Sequence, residues 1–511
     1  MTNKSVTLLL ALTAILLTLP PPVFSSPSTT AASTRAASPH FGGRPVIPSK
    51  TSSSLVLQED DGSQVTASAI VSPPRGGAVS SLLPNSPQAL YGAVFYIVFD
   101  VGLRKLFKKL SISFPSMMAG CVGLFVAMVL AEVVSPGSGD AVFDSLSPGS
   151  AFLTKWMPAF FVPGLVMLPL APSMGSPLEV AKVLLVVVGG FFFSLSTVAF
   201  SVLGLRKLQG ADTSIPGQVA ASTGGGDVKP YSAETAKFLT TLSLILFPIT
   251  LGCTLSKNSA APPVQTAFLA ASTLCTFVYG ARLPASFVKI VHPLIMSTTL
   301  TLLTIKVLSA CTGNAFGSIL SAYKSGKMSL ANIGAGDILL FLLGPSVQSF
   351  SIAMYSRKGL MKDNLLVVAV AALVSAGGGL FATAAFVRFL KIANDVIRIS
   401  SLPRNVTTAL AMAISQILGG DIAITASVVV LTGVFAATVG GKVLTAMGLV
   451  DPISRGLAIG SAGQGLGVAS FAKEKDAFPF AAIAMICTAI TATCLASVPA
   501  VKDAILGVTI G

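Results

Sequence analysis

Three stretches of this sequence place hydrogen-bonding side chains inside long apolar runs. Residues 342–350 read LLGPSVQSF and carry Ser346 and Gln348, with Ser351 next. Residues 402–413 read LPRNVTTALAMA and open on Pro403, Arg404, Asn405, Thr407 and Thr408. Residues 456–470 read GLAIGSAGQGLGVAS, with five glycines around Ser461 and Gln464. Proline and glycine free backbone groups, and at membrane depth these are tolerated only where protein buries them or a wet cavity meets them. Helices interrupted in this way present positive ends that hold anions. The chemistry such residues offer is recognition and passage of a small polar solute. A second reading fits the glycines alone: Gly456 with Gly460, and Gly463 with Gly467, have the small-x-x-x-small spacing that lets helices pack closely. A nucleotide loop is excluded, because position 468 is Val in the G-x-G-x-x-G frame and no strand pattern precedes it.

Bond-making chemistry lacks its parts. The two histidines, His40 and His292, stand far apart, and the six cysteines form no C-x-x-C pair. No nucleophile–base set and no metal cluster emerges, so catalytic residues, metal and cofactor are all expected to be none. The cysteines read as small buried apolar residues.

The elements that must position these stretches are membrane helices. The chain of 511 residues is 53% hydrophobic and 10% charged, whereas soluble domains carry about 25% charged residues. An all-α polytopic membrane protein follows, with about twelve transmembrane helices and discontinuous ones in the C-terminal part. Spans of roughly 20 residues read near 88–107, 114–134, 151–171, 178–205, 236–255, 264–282, 292–312, 336–355, 364–390, 421–447, 454–472 and 478–500. The 406–418 run is too short to cross and reads as a half-helix. The breaks at Pro345 and at 456–467 stand at corresponding places in the span count, which hints at an internal repeat. The net charge of +14 is spread over span ends such as RKLFKK at 104–109, the membrane-flank pattern. Nucleic acid is not expected as a partner; lipid is.

Residues 1–82 read as an address. A short apolar run near 6–19 suits a signal segment, and 27–58 is rich in Ser, Thr and Ala with Arg and Lys but no acid before Glu59, the composition of a transit peptide. This bipartite form points to a plastid, including the complex plastids of algae. Four units follow: presequence 1–82, a membrane unit 83–207, a polar linker 208–235, and a second membrane unit 236–511.

From about residue 234 onward the chain resembles the LrgB/CidB membrane family. The motifs are LLGPSVQSFSIAMYSRKGLMKDN at 342–364, LPRNVTTALAMAIS at 402–415, TGVFAATVG at 432–440 and DPISRGLAIGSAGQGLGVAS at 451–470. Residues 86–205 are similar to the LrgA/CidA partner, through SFPSMMAG at 113–120 and FFVPGLVMLPL at 160–170. Fusion of the two behind a plastid-like presequence resembles the plastid branch of the family. The resemblance implies carriage of glycolate and glycerate across the inner plastid envelope in photorespiration. Its other members imply two alternatives: a holin-like pore whose first unit forms a homo-oligomer, or a carrier of another small monocarboxylate such as pyruvate. The family's glycine-rich segment usually has His where this chain has Gln464, and Thr where it has Val468.

For a 2-hydroxy carboxylate, Arg404 is the first choice to hold the carboxylate, since guanidinium binds it bidentately; a flanking residue reaching for the interface is the alternative. Asn405, Thr407 and Thr408 would offer the first turn of a helix to the anion. Ser346, Gln348, Ser351, Ser461 and Gln464 complete the expected binding set. Asp337 and Asp421 are candidates for proton coupling, because carboxylates within membrane segments are costly; for Asp337 a helix cap is the rival reading. Asp100 and Glu132 are expected to pair with Arg104 or Lys105.

Overall fold

The computed structural model describes residues 86–112, 114–172, 175–217, 230–288, 291–327 and 332–511. The presequence expected over 1–82 and linker residues 218–229 lie outside them. The regular structure among the described residues is helical. In chain order the main helices are α1 (Pro87–Lys109), α2 (Ser116–Val134), α3 (Ser138–Phe160), α4 (Pro177–Leu208), α5 (Ala233–Leu255), α6 (Ala261–Ala281) and α7 (Pro293–Thr312). There follow α8 (Ala335–Tyr355), α9 (Leu365–Phe389), α10 (Thr408–Leu418), α11 (Ile422–Ala446), α12 (Pro452–Ser470), α13 (Phe478–Ser497) and α14 (Pro499–Ile510).

The chain is an all-α polytopic membrane protein. Ten helices among the described residues are long and apolar enough to cross a membrane: α2 to α9, α11 and α13, with α3 running on to Leu170. The expected twelve included α1 and the 454–472 run. Helix α1 has the length, but Asp100, Arg104, Lys105, Lys108 and Lys109 make it more polar. Helix starts follow local chemistry. Ser86 caps α1 by accepting from Ala89 N at 3.1 Å, with Pro87 in the first turn. His292 caps α7 by accepting from Leu294 N at 3.3 Å, so this histidine has a backbone role. Helix α8 is bent into three pieces, at Leu342 and at Ser349, around the Gly344–Pro345 pair.

The 454–472 run does not cross. A straight helix of 19 residues would be about 28 Å long, yet Arg455 near the start of α12 pairs with Glu474 just beyond its end, Nη2 to Oε1 at 2.8 Å. The Arg455 guanidinium also lies 5.5 Å from the Phe471 ring centroid. A Cβ on Gly467 would meet Ile459 O at 3.1 Å. The chain therefore enters, turns and returns to the face it came from. The turn is at Gln464, whose backbone (φ 51°, ψ −147°) interrupts α12. Gly456 lies against Ala477 and Gly460 against Ala481, so the entering arm runs parallel to α13, which starts on that same face.

A second re-entrant hairpin comes from the opposite face. Asp421 N donates to Ser400 Oγ at 2.7 Å and Thr425 Oγ1 to Ser400 O at 2.9 Å, so residue 400 and the start of α11 share a level. Between them the chain dips inward and returns as α10, 11 residues and about 16 Å long, which is the expected half-helix. Helix α11, 25 residues, then crosses to the face where α12 enters, and Arg455 Nη1 reaches Thr445 Oγ1 near its end at 3.2 Å. The two hairpins thus enter from opposite faces. Helices α9, α11 and α13 wall them in, and α4 of the first membrane unit packs against α9, α11 and α12. Helix α8 packs on α1 and α2.

Candidate functional site: two touching hairpin tips

The tips touch. Gln464 Nε2, at the turn of the second hairpin, donates to the backbone carbonyl of Arg404, in the turn of the first, at 2.5 Å. Both residues are buried. A network spreads from this contact. Asn405 Nδ2 donates to Ser375 O and Ser375 Oγ of α9, both at 3.1 Å. Ser375 Oγ donates to Ser461 O at 3.1 Å, and Ser461 Oγ lies 3.2 Å from Thr488 Oγ1 of α13. Arg404, Asn405, Ser461 and Gln464 are brought into one cluster.

Arg404 is 0% exposed, so the interface-reaching alternative falls. Its Nε donates to Thr383 Oγ1 of α9 at 3.1 Å and its Nη2 to Ser194 Oγ of α4 at 2.9 Å. Gly190, one turn before Ser194, lies flat against the guanidinium, where a Cβ would collide with it. None of the ion pairs among the described residues includes Arg404, and its Nη1 is buried without a partner. A guanidinium buried without an acid is costly by several kcal/mol; in membrane segments such groups mark ligand or ion pathways. Helix α10 starts just beyond it, with Thr408 as its first residue and Thr407 as an N-cap that makes no side-chain cap bond. The positive end of a half-helix therefore adds to the Arg404 field. Thr407 also lines a cavity of about 10 Å³, the room of one water, with Met118 and Cys121 of α2, Val347 and Phe350 of α8, and Ile486 of α13 among its walls.

The rest of the expected set lies elsewhere. Ser346 Oγ donates back to Leu342 O within its own helix at 2.8 Å. Gln348 Nε2 donates to Asp100 Oδ1 at 3.1 Å, and Asp100 also accepts from Arg104 Nε at 2.5 Å. Ser351 is buried on the same kinked helix. Gln348 thus ties α8 to the first membrane unit. Asp337 accepts from Ser325 N, Ser325 Oγ, Gly326 N and Gly334 N at 2.8–3.0 Å, a cap and loop tie. Asp421 caps α11, accepting from Ala423 N and Ile424 N. Glu132 does not pair with Arg104 or Lys105: it accepts from Gly137 N, Gly139 N and Asp140 N in the α2–α3 turn. Two cysteines, Cys311 and Cys494, are exposed rather than buried.

Ser194, Gly190, Ser375 and Thr383 were not singled out in the sequence. A signal was present: Ser375, Gly379 and Thr383 recur every fourth residue on one face of α9, and Gly190 and Ser194 do so on α4. Gly379 is where the Asn405 amide packs.

The LrgB-like family matches residues 273–501, a range that takes in both hairpins. The chain is also 31% identical over 411 residues to the Plastidal glycolate/glycerate translocator 1, chloroplastic, of Arabidopsis thaliana, across 80% of this chain and 78% of that one. The chain belongs to this translocator family. An alignment of that length cannot be confined to the chain beyond the linker, so the family relation takes in part of the first membrane unit as well. As a translocator-family member the chain is a plastid membrane protein acting on small molecules. No solved structure was found to match it.

Proposed function

We propose that this protein is a secondary carrier of glycolate and glycerate across the inner plastid envelope, serving photorespiration. The observation that carries the reading is Arg404: a fully buried guanidinium with a free Nη1 and no acidic partner, held where two opposed hairpin tips meet. A small carboxylate supplies the missing countercharge, and the α10 amide end supports it. Hairpins entering from opposite faces give each side its own gate, the arrangement alternating access requires. In this reading 236–511 is the transport unit and 83–207 the LrgA-like unit that braces it through α4, after a presequence over 1–82. The Arabidopsis relative's name supports the two acids.

Uptake of labelled glycolate and glycerate by proteoliposomes tests this. Saturation, and acceleration of uptake by either acid on the opposite side, is the expected result. Flux linear in concentration that also admits unrelated solutes would establish a pore instead. Pyruvate in the same panel checks the alternative carboxylate.

A further inference from the structure

The seam between the two membrane units holds two cations without an acid. Lys155 lies inside α3, a crossing helix, and Arg282 follows the last turn of α6. Both are half-buried, and neither belongs to an ion pair among the described residues. They converge on Tyr231, just before α5. The Tyr231 hydroxyl donates to Lys155 O at 2.7 Å, Lys155 Nζ lies 5.2 Å from the centre of the Tyr231 ring, and Arg282 Nη1 donates to the Tyr231 carbonyl. Trp156 packs on the same ring, centroids 4.9 Å apart, and its Nε1 is buried with no partner. The polar atoms left over on these side chains, Lys155 Nζ, Arg282 Nε and Nη2 and Trp156 Nε1, can only donate. The N-terminal end of α5 adds to the same positive potential. The partner that fits is an anion made of acceptors, such as a phosphate.

We propose that Lys155 and Arg282 hold the phosphate of an anionic lipid at this seam. A charged lysine within a crossing helix is costly without a counter-charge, and the seam brings one within reach. Helices α5 and α6 present their ends beside Lys155, so the headgroups that border these two spans come level with it. Aromatic rings such as Tyr231 and Trp156 at a span end are themselves an interface feature. From that level into the bilayer, α5 exposes Phe238, Leu244, Ile245 and Ile249, an apolar wall for acyl chains. A soluble anion gains nothing from that wall, whereas a lipid uses the wall and the cations together. Basic pockets between membrane helices take anionic headgroups in this way. Lys155 belongs to the first membrane unit and Arg282 to the second, so one headgroup bridges the two.

Trp156 is the only tryptophan of the chain, so its fluorescence reports on this site alone. The full chain is reconstituted in phosphatidylcholine vesicles, and brominated phosphatidylglycerol or brominated phosphatidylcholine is titrated in as quencher. Half-maximal quenching is expected at a mole fraction of the brominated phosphatidylglycerol at least about fivefold below that of the brominated phosphatidylcholine. In the Lys155→Gln, Arg282→Gln double variant the two curves should coincide, with helical circular dichroism unchanged, whereas Lys155→Arg should keep the preference. Coincident curves in the unmodified protein would overturn the proposal, whatever the variants do. So would a full preference retained by the double variant. Inorganic phosphate in large excess should leave the quenching unchanged; if it displaces the brominated lipid, the site takes the free anion and the lipid assignment falls.

Discussion

Arg404 is a fork rather than a point charge in this setting. Two of its nitrogens are committed, to Thr383 and Ser194, and the third is left free. Lysine would keep the charge but not the three-way geometry. Arg404→Lys is therefore expected to reduce glycolate kcat/KM by at least about tenfold, about 1.4 kcal/mol, while the protein still reconstitutes; uptake kinetics decide, and unchanged kcat/KM would remove Arg404 from the site. Gln464 bears on the proton question at the same scale. An amide does not titrate in the physiological range, and here it holds the Arg404 carbonyl. Gln464 thus serves as a fixed donor in this chain.

At the scale of elements, the second hairpin turns on a strained residue. Gln464 has a positive φ near a region almost reserved for glycine, which costs about 1–3 kcal/mol. Its hydrogen bond to Arg404 O returns about 0.5–1.5 kcal/mol. Gln464→Gly should thus leave the melting temperature unchanged or higher while uptake drops, because the tips are no longer tied; a lower melting temperature with unchanged uptake would contradict the strain argument. The helix caps separate structure from coupling. Asp421 is occupied by Ala423 N and Ile424 N. Asp421→Ala should lower stability by about 1 kcal/mol without moving the pH profile of uptake. A shifted profile would restore Asp421 as a proton site.

For the whole molecule, the first membrane unit is a wall of the site. Arg206 at the end of α4 pairs with Asp451, the cap of α12, at 3.1 Å, and Ser194 and Gly190 of the same helix seat Arg404. Gly190→Ala puts a methyl group against the guanidinium. Overpacking of this kind costs about 1–3 kcal/mol, and the arginine must move to relieve it. Uptake should fall several-fold, with KM rising, although position 190 lies outside the LrgB-like stretch. Kinetics indistinguishable from the unmodified protein would show that α4 does not set Arg404.

Composition alone made this an all-helical membrane protein, because 53% hydrophobic and 10% charged residues leave the chain no soluble core to build. Proline, glycine and isolated polar residues located both tips, since breaks in an apolar run are local signals. Direction was beyond them. A span and a re-entrant hairpin have the same hydropathy, and only Arg455 meeting Glu474 and Gly467 meeting Ile459 show that 452–470 turns back. Partners were beyond them too. Arg404 rests on Ser194, 210 residues earlier in the chain, and Gln348, chosen for the site, is held by Asp100 instead. The physical reason is common to both. Burial and helix breaking act along the chain, whereas a buried charge or amide is satisfied by whichever groups packing brings within 3 Å, and that choice exists only once the helices have closed around it.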